Sequence, residues 1–218
     1  MSEWLVWQVV DSAFPTGTFA HSWGLEAAWQ QGEVDTPAAL QAFAQASLQQ
    51  AAYASIPLVN AAYRHPDRLE TLDALADAFL LNAVANRASR IQGRTLVATA
   101  GRIWESETLA AITARAQSLH GHVAPVTGAT FRAIDLPLAT VQRVVLYATA
   151  RGVLSAAVRL GIAGSYEAQR MQYACGSTLD RLAARCVDLD DSDLVQTAPV
   201  VDLLQAAHDR LYSRLFQS

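Results

Sequence analysis

The chain has 218 residues, 52% of them hydrophobic and 17% charged, with a net charge of −4. It contains no lysine, so every basic side chain is arginine; this excludes a P-loop lysine and a Schiff-base lysine. No basic run appears, which excludes the concentrated positive face of a nucleic-acid binder.

In chain order the pattern is helical nearly throughout. Trp4, Leu5, Trp7 and Val9-Val10 suit a short buried helix. Asp11-Ser12 and then Pro15-Thr16-Gly17 read as a loop with a turn, because proline presets φ and glycine accepts the position after it. Phe19, Trp23, Leu25, Ala27 and Ala28 suit the next helix. Thr36-Pro37 is an N-cap followed by a first-turn proline, opening a helix to about Ser55. Residues 36–63 carry no formal charge, but Gln41, Gln45 and Gln49 draw a polar stripe, and Pro57 and Asn60 interrupt the remainder of the segment. That fits a buried helix rather than a membrane span.

Asp67 caps a helix to Leu81, and the next spans about Val84 to Trp104. Ser106 caps another that ends near His120, stopped by Gly121. Pro137 opens a long helix through Leu160, carried by Leu138, Val141, Val144, Val145 and Ala148 at helical spacing. One more covers about Tyr166 to Arg185, and Pro199 opens the last. No alternating strand pattern, repeat or low-complexity segment stands out. The fold class is all-α, one compact multi-helix domain over 1–218.

Charged residues usually make up about 25% of a globular chain. The shortfall here implies either alanine-rich helices that dilute charge or surface covered by other chains, as in a homodimer. MSEWLVWQ has neither the basic start nor the apolar core of a secretory leader. Cys175 and Cys186 lack metal or redox spacing and read as reduced, buried thiols, which suits the cytoplasm.

Several constellations invite chemistry. Asp11, His21 and Ser22 have the residue types of a hydrolytic triad, but no nucleophile elbow is present, and adjacent His and Ser are poorly placed as base and nucleophile. His120 and His122 flank Gly121; they read as a helix C-cap, or as two imidazoles that could meet nickel or zinc if the backbone is extended there. Asp188, Asp190, Asp191 and Asp193 lack the glycine and bidentate glutamate of a calcium loop and read as a solvated, capping turn. Arg87, Arg90 and Arg94 share a helical face that calls for anionic partners. Leu211, Tyr212, Leu215 and Phe216, with Arg210 and Arg214, form an amphipathic helical stripe that docks on its own domain or on a partner.

Four stretches together carry a family resemblance. DSAFPTGTFAHSWGLE at 11–26 holds Asp11, Ser12, Pro15, Gly17, His21, Ser22, Gly24 and Glu26. Ala88-Ser89-Arg90 with Gln92-Gly93 comes second, then His120-Gly121-His122 with Ala124-Pro125-Val126 and Gly128-Ala129, and finally HDRLYSRLFQS at 208–218. In this order they resemble the UreF-type urease accessory proteins over the whole chain. One stretch departs: in 164–170 the family's glycine before Gln-Arg is Ala168, with Tyr166 inserted.

The resemblance implies a non-catalytic, cytoplasmic chaperone-like scaffold. Its partners would be the UreD/UreH accessory protein, the UreG GTPase and apo-urease, with no nucleic acid and no membrane. It implies no tightly bound cofactor, nickel being handled by the complex. Partner contacts fall on the tail (His208, Arg210, Leu211, Tyr212, Arg214, Leu215, Phe216) and on Arg90, which would face the GTPase. The runner-up functions are a nickel metallochaperone using His120 and His122, and a small hydrolase centred on His21.

Overall fold

The computed structural model describes residues 3–218; Met1 and Ser2, part of the stretch read for a leader, lie outside the described residues. The α-helices are α1 (Glu3–Val10), α2 (Leu25–Gln30), α3 (Pro37–Gln50), α4 (Ile56–Arg64), α5 (Leu69–Phe79), α6 (Ala83–Ile103), α7 (Glu107–Arg115), α8 (Val123–Ala133), α9 (Leu138–Arg159), α10 (Ser165–Ala174), α11 (Gly176–Arg185) and α12 (Pro199–Ala206). Short 3-10 turns cover Thr18–Ala20, Pro66–Arg68, Asp191–Asp193 and Ala207–Arg210. No strand occurs among the described residues, and no helix is long and apolar enough to cross a membrane.

Local chemistry accounts for the best-defined starts. Thr36 accepts the Ala39 amide at 3.2 Å ahead of Pro37, and Ser106 accepts the Leu109 amide at 3.3 Å. Asn82 opens α6 by accepting from Val84 and Ala85.

Pro57 does not end the helix, contrary to expectation. A π turn over Ala51–Ser55 joins α3 to α4, and the carbonyl that a residue-57 amide would have bonded, that of Tyr53, accepts the Val195 amide at 3.0 Å instead. Asp67 does not cap α5; its segment is a 3-10 turn, and α5 starts after Arg68 without a side-chain cap. The helix expected over 19–28 is broken, because Trp23 and Gly24 both take positive φ (61° and 85°) and turn the chain into α2. The helix expected over 166–185 breaks at Cys175 into α10 and α11.

The central element, α8, has no counterpart among the expected helices. Residues 125–131 are all buried. A Cβ on Gly128 would lie 2.2 Å from the Val59 carbonyl oxygen, so α8 and α4 cross backbone to backbone. Val59, Leu96, Val97, Val126, Ala129, Phe131, Val141 and Val144 form the core around that crossing. A second cluster joins α2, α3 and α9 through Leu25, Ala28, Leu40, Phe43, Val153 and Ala157; Phe216 from the tail completes it. Cys175 and Cys186 are free and buried, as expected, in a third cluster with Leu48, Ile56, Leu146 and Leu182.

Candidate functional site

The four motif stretches fold into two clusters. The first joins the N-terminal motif to the C-terminal tail. Asp11 accepts the Ala13 amide at 2.7 Å, the Pro15 carbonyl accepts the Thr99 hydroxyl at 2.8 Å, and Gly17 has φ +75°. Asp11 and Ser12 are exposed, so this half of the motif shapes a turn on the surface of α6. The second half is buried. Glu26, 2% exposed, accepts from the Leu215 amide (2.6 Å), the Phe216 amide (3.1 Å) and His208 Nε2 (3.1 Å). Ser22 donates its hydroxyl (2.8 Å) and its amide (2.6 Å) to the Ser218 main-chain oxygen. His21 Nδ1 meets the Ser218 hydroxyl at 2.6 Å, and the Gln217 amide donates to the Ala20 carbonyl at 2.8 Å. The Arg159 guanidinium lies 4.1 Å from both the Phe19 and the Phe216 ring centroids, a cation between two π faces.

These bonds explain why the tail is not a helix. The expected stripe of Leu211, Tyr212, Leu215 and Phe216 does not form, because the helix ends in the Ala207–Arg210 turn and Leu211 is extended (ψ 137°). The amides of Leu215 and Phe216 bond to Glu26, where helical amides would bond up their own chain. Phe216 is buried, while Tyr212 is fully exposed and Leu215 is 54% exposed. His208 is wholly buried; Arg210 and Arg214 are exposed, and Arg214 pairs with Asp209 at 3.4 Å.

Burial, together with nearby His208 and Arg87, lowers the His21 imidazole to about 4, so it is neutral near pH 7. His21 Nδ1 and the Ser22 hydroxyl bond to Ser218 rather than to each other, and Asp11 caps a turn. The arrangement therefore lacks the nucleophile–base–orienter relay of a hydrolase.

The second cluster joins the two central motifs. The His120–His122 segment is not a helix C-cap: α7 ends at Arg115, and His122 is the N-cap of α8. The orphan amides at this start are satisfied from other helices. Asp73 of α5 accepts the Gly121 amide (3.1 Å) and the His122 amide (2.7 Å), and Ser89 of α6 accepts the Val123 amide (3.2 Å). His122 is fully buried, with Nε2 at 3.0 Å from Asp77 and Nδ1 at 3.1 Å from the Ser89 hydroxyl. A single tautomer suits both: Nε2–H donates to the carboxylate, and Nδ1 accepts from the hydroxyl. Burial lowers the His122 pKa against the raising effect of Asp77, while bonds from Asn86 and then His122 hold the Asp77 carboxyl below its usual range. Gly93 lets α6 touch this segment, since a Cβ there would fall 2.2 Å from the Gly121 oxygen.

Both ring nitrogens of His122 are thus engaged, and His120 lies beside it, ring centroids 6.1 Å apart, with its Nδ1 3.8 Å from the same Asp77 oxygen, beyond hydrogen-bond distance. Among the described residues no three His, Cys, Asp or Glu side chains converge as a metal site requires. The acidic turn at 188–193 is a capping box between Asp190 and Asp193, with Asp191 paired to Arg68 at 2.7 Å. Of the arginine face on α6, Arg87 pairs with Asp209 at 2.8 Å, the Arg94 stem packs on Gly121, and Arg90 is half-buried with no ion pair among the described residues. In the departing stretch 164–170, Gly164 is the N-cap of α10 and the rest lies in that helix, with Tyr166 86% exposed.

Sequence reasoning singles out both ends of the first cluster but not their union. It also misses Asp73, Asp77 and Arg159, which carry no motif of their own. The UreF family model matches residues 34–176. Urease accessory protein F of Arabidopsis thaliana is 35% identical over 223 residues, covering 99% of this chain and 92% of the relative. The rice protein of the same name (Oryza sativa subsp. japonica) is 34% identical over 221 residues, covering 99% and 85%. Urease accessory protein UreF of Rhodopseudomonas palustris (strain TIE-1) is 30% identical over 213 residues, covering 94% and 88%.

Proposed function

This chain belongs to the UreF family of urease accessory proteins, and on that premise we propose that it works as a non-catalytic adaptor in urease maturation. It binds the UreD/UreH companion, recruits the UreG GTPase, and brings both to apo-urease. Nickel is the cargo of the assembly, and this chain contributes shape, interface and coupling to it. The observation that carries this reading is the folding of the N-terminal motif around the C-terminal tail. Such a clasp makes physical sense if it displays a surface: Tyr212 and Leu215 are held outside it, at an energetic cost unless something covers them. Arg90 on α6 is the residue proposed to face the GTPase, since a half-buried guanidinium without an ion pair among the described residues suits an anionic partner. Further exposed apolar side chains provide surface for dimerisation: Leu81, Tyr173, Leu203, and also Trp4 and Trp7, since α1 buries only Val9 and is not the buried helix its apolar pattern suggests.

Size-exclusion chromatography with light scattering tests this. The chain mixed with a UreD/UreH protein elutes as a stable complex, and UreG joins that complex. A chain that elutes alone in every mixture overturns the proposal.

A further inference from the structure

A single buried carboxylate pins both ends of the loop formed by residues 208–216. Glu26 Oε2 takes His208 Nε2 and the Phe216 amide, and Oε1 takes the Leu215 amide. One turn along α2, Gln30 donates to the Ser213 carbonyl at 3.0 Å, holding the middle of the same loop. Phe216 is driven inward against Arg159, so the chain between the pins is forced out. The result is a knob. Tyr212 forms its tip, Leu215 its shoulder, and Arg210 and Arg214 flank it. Neither the Arg210 nor the Tyr212 side chain has an ion pair or hydrogen bond among the described residues. The matching surface is an apolar socket rimmed by acidic side chains on a partner protein.

We infer that Glu26 is the positioning residue of this knob: it touches no partner, yet sets how tightly the partner is held by fixing the loop in its binding shape. This rests on the proposal that the chain binds a companion accessory protein. The mechanism is population. A loop that occupies its binding shape for a fraction f of the time binds with its dissociation constant raised by 1/f. In the native chain three donors on one carboxylate keep f near unity. Glu26→Gln keeps the volume but replaces one acceptor oxygen with an NH2 donor, so at least one of the three bonds becomes a donor–donor clash.

The test compares the full-length chain with Glu26→Gln and Tyr212→Ala. Hydrogen exchange is read at the Leu215 and Phe216 amides, and affinity for the UreD/UreH companion by calorimetry. Far-UV circular dichroism and the exchange of core α9 amides confirm that each variant keeps its fold. Glu26→Gln is expected to expose both tail amides and weaken binding by about tenfold, the loss matching the open fraction that exchange reports. Tyr212→Ala is expected to weaken binding while the two amides stay protected. If the native chain binds and Glu26→Gln binds equally well, or leaves the amides protected, the positioning role is overturned and the adaptor reading stands. A native chain that binds no companion overturns both.

Discussion

Gly93→Ala is the sharpest probe of how the two central motifs meet. The new methyl carbon would sit 2.2 Å from the Gly121 oxygen and 2.8 Å from both His122 C and Val123 N, where ordinary contact needs at least 3.4 Å. All three atoms are backbone, so no rotamer change relieves the clash. Nor is the segment free to shift, since Asp73 and Ser89 hold its amides. Overpacking of this kind costs about 1–3 kcal/mol, and immobile neighbours place it near the upper end. Alanine returns about 1 kcal/mol of helix propensity inside α6. The net loss is about 2 kcal/mol, or a fall in Tm of about 4–8 °C for a chain of this size. Gly176→Ala is the control: nothing lies within 4 Å of its Cβ position at the start of α11. It should be neutral or raise Tm by a few degrees, about 0.4–1 kcal/mol. Thermal unfolding followed by circular dichroism reads both. A Gly93→Ala chain that melts at or above the native temperature would refute the backbone contact.

Two further outcomes stem from burial. The folded His21 titrates at about 4 against 6.5 for an ordinary imidazole, so the unfolded chain takes up its proton first. Stability from neutral His21 is therefore complete above pH 6.5 and drains away as pH falls towards 4, by about 2 kcal/mol at pH 5. In urea titrations at pH 7.5 and pH 5, His21→Gln should show a smaller difference between the two conditions than the native chain; an equal difference would contradict a buried neutral His21. Burial also pushes the Cys186 thiol up to about 11 and raises Cys175. Ellman's reagent at pH 8 should thus label neither thiol in the native chain and both in guanidinium; rapid native labelling would show that these helices open readily.

Where local signals are strong, the sequence is readable. Thr36-Pro37 and Ser106 mark helix starts within a residue, and the spacing of Val141, Val144 and Ala148 draws α9 almost end to end. The all-α class rests on these. By contrast, α8 is invisible because Pro125, Thr127, Gly128 and Thr130 are poor helix formers; its helicity comes from burial against α4 and from caps supplied by α5 and α6. At the tail the error runs the other way. Leu211 and Leu215 are four apart, as are Tyr212 and Phe216, and that spacing suggests a helix. Glu26, some 190 positions upstream, captures the amides a helix would need. Likewise His122 sits beside a glycine, as a C-cap would, yet serves a helix that begins rather than ends there. These three failures are contacts between distant segments, which no local pattern encodes, whereas the break at Trp23-Gly24 is a local backbone turn.

The adaptor role is tested most directly by reconstituting urease activation. Apo-urease, UreD/UreH, UreG, GTP and nickel are combined with and without this chain, and metal in the purified urease is measured by mass spectrometry alongside ammonia release. Nickel loading and activity that require the chain are predicted, with loading lost when residues 208–218 are deleted. Equal loading in its absence would contradict a role as the connecting scaffold.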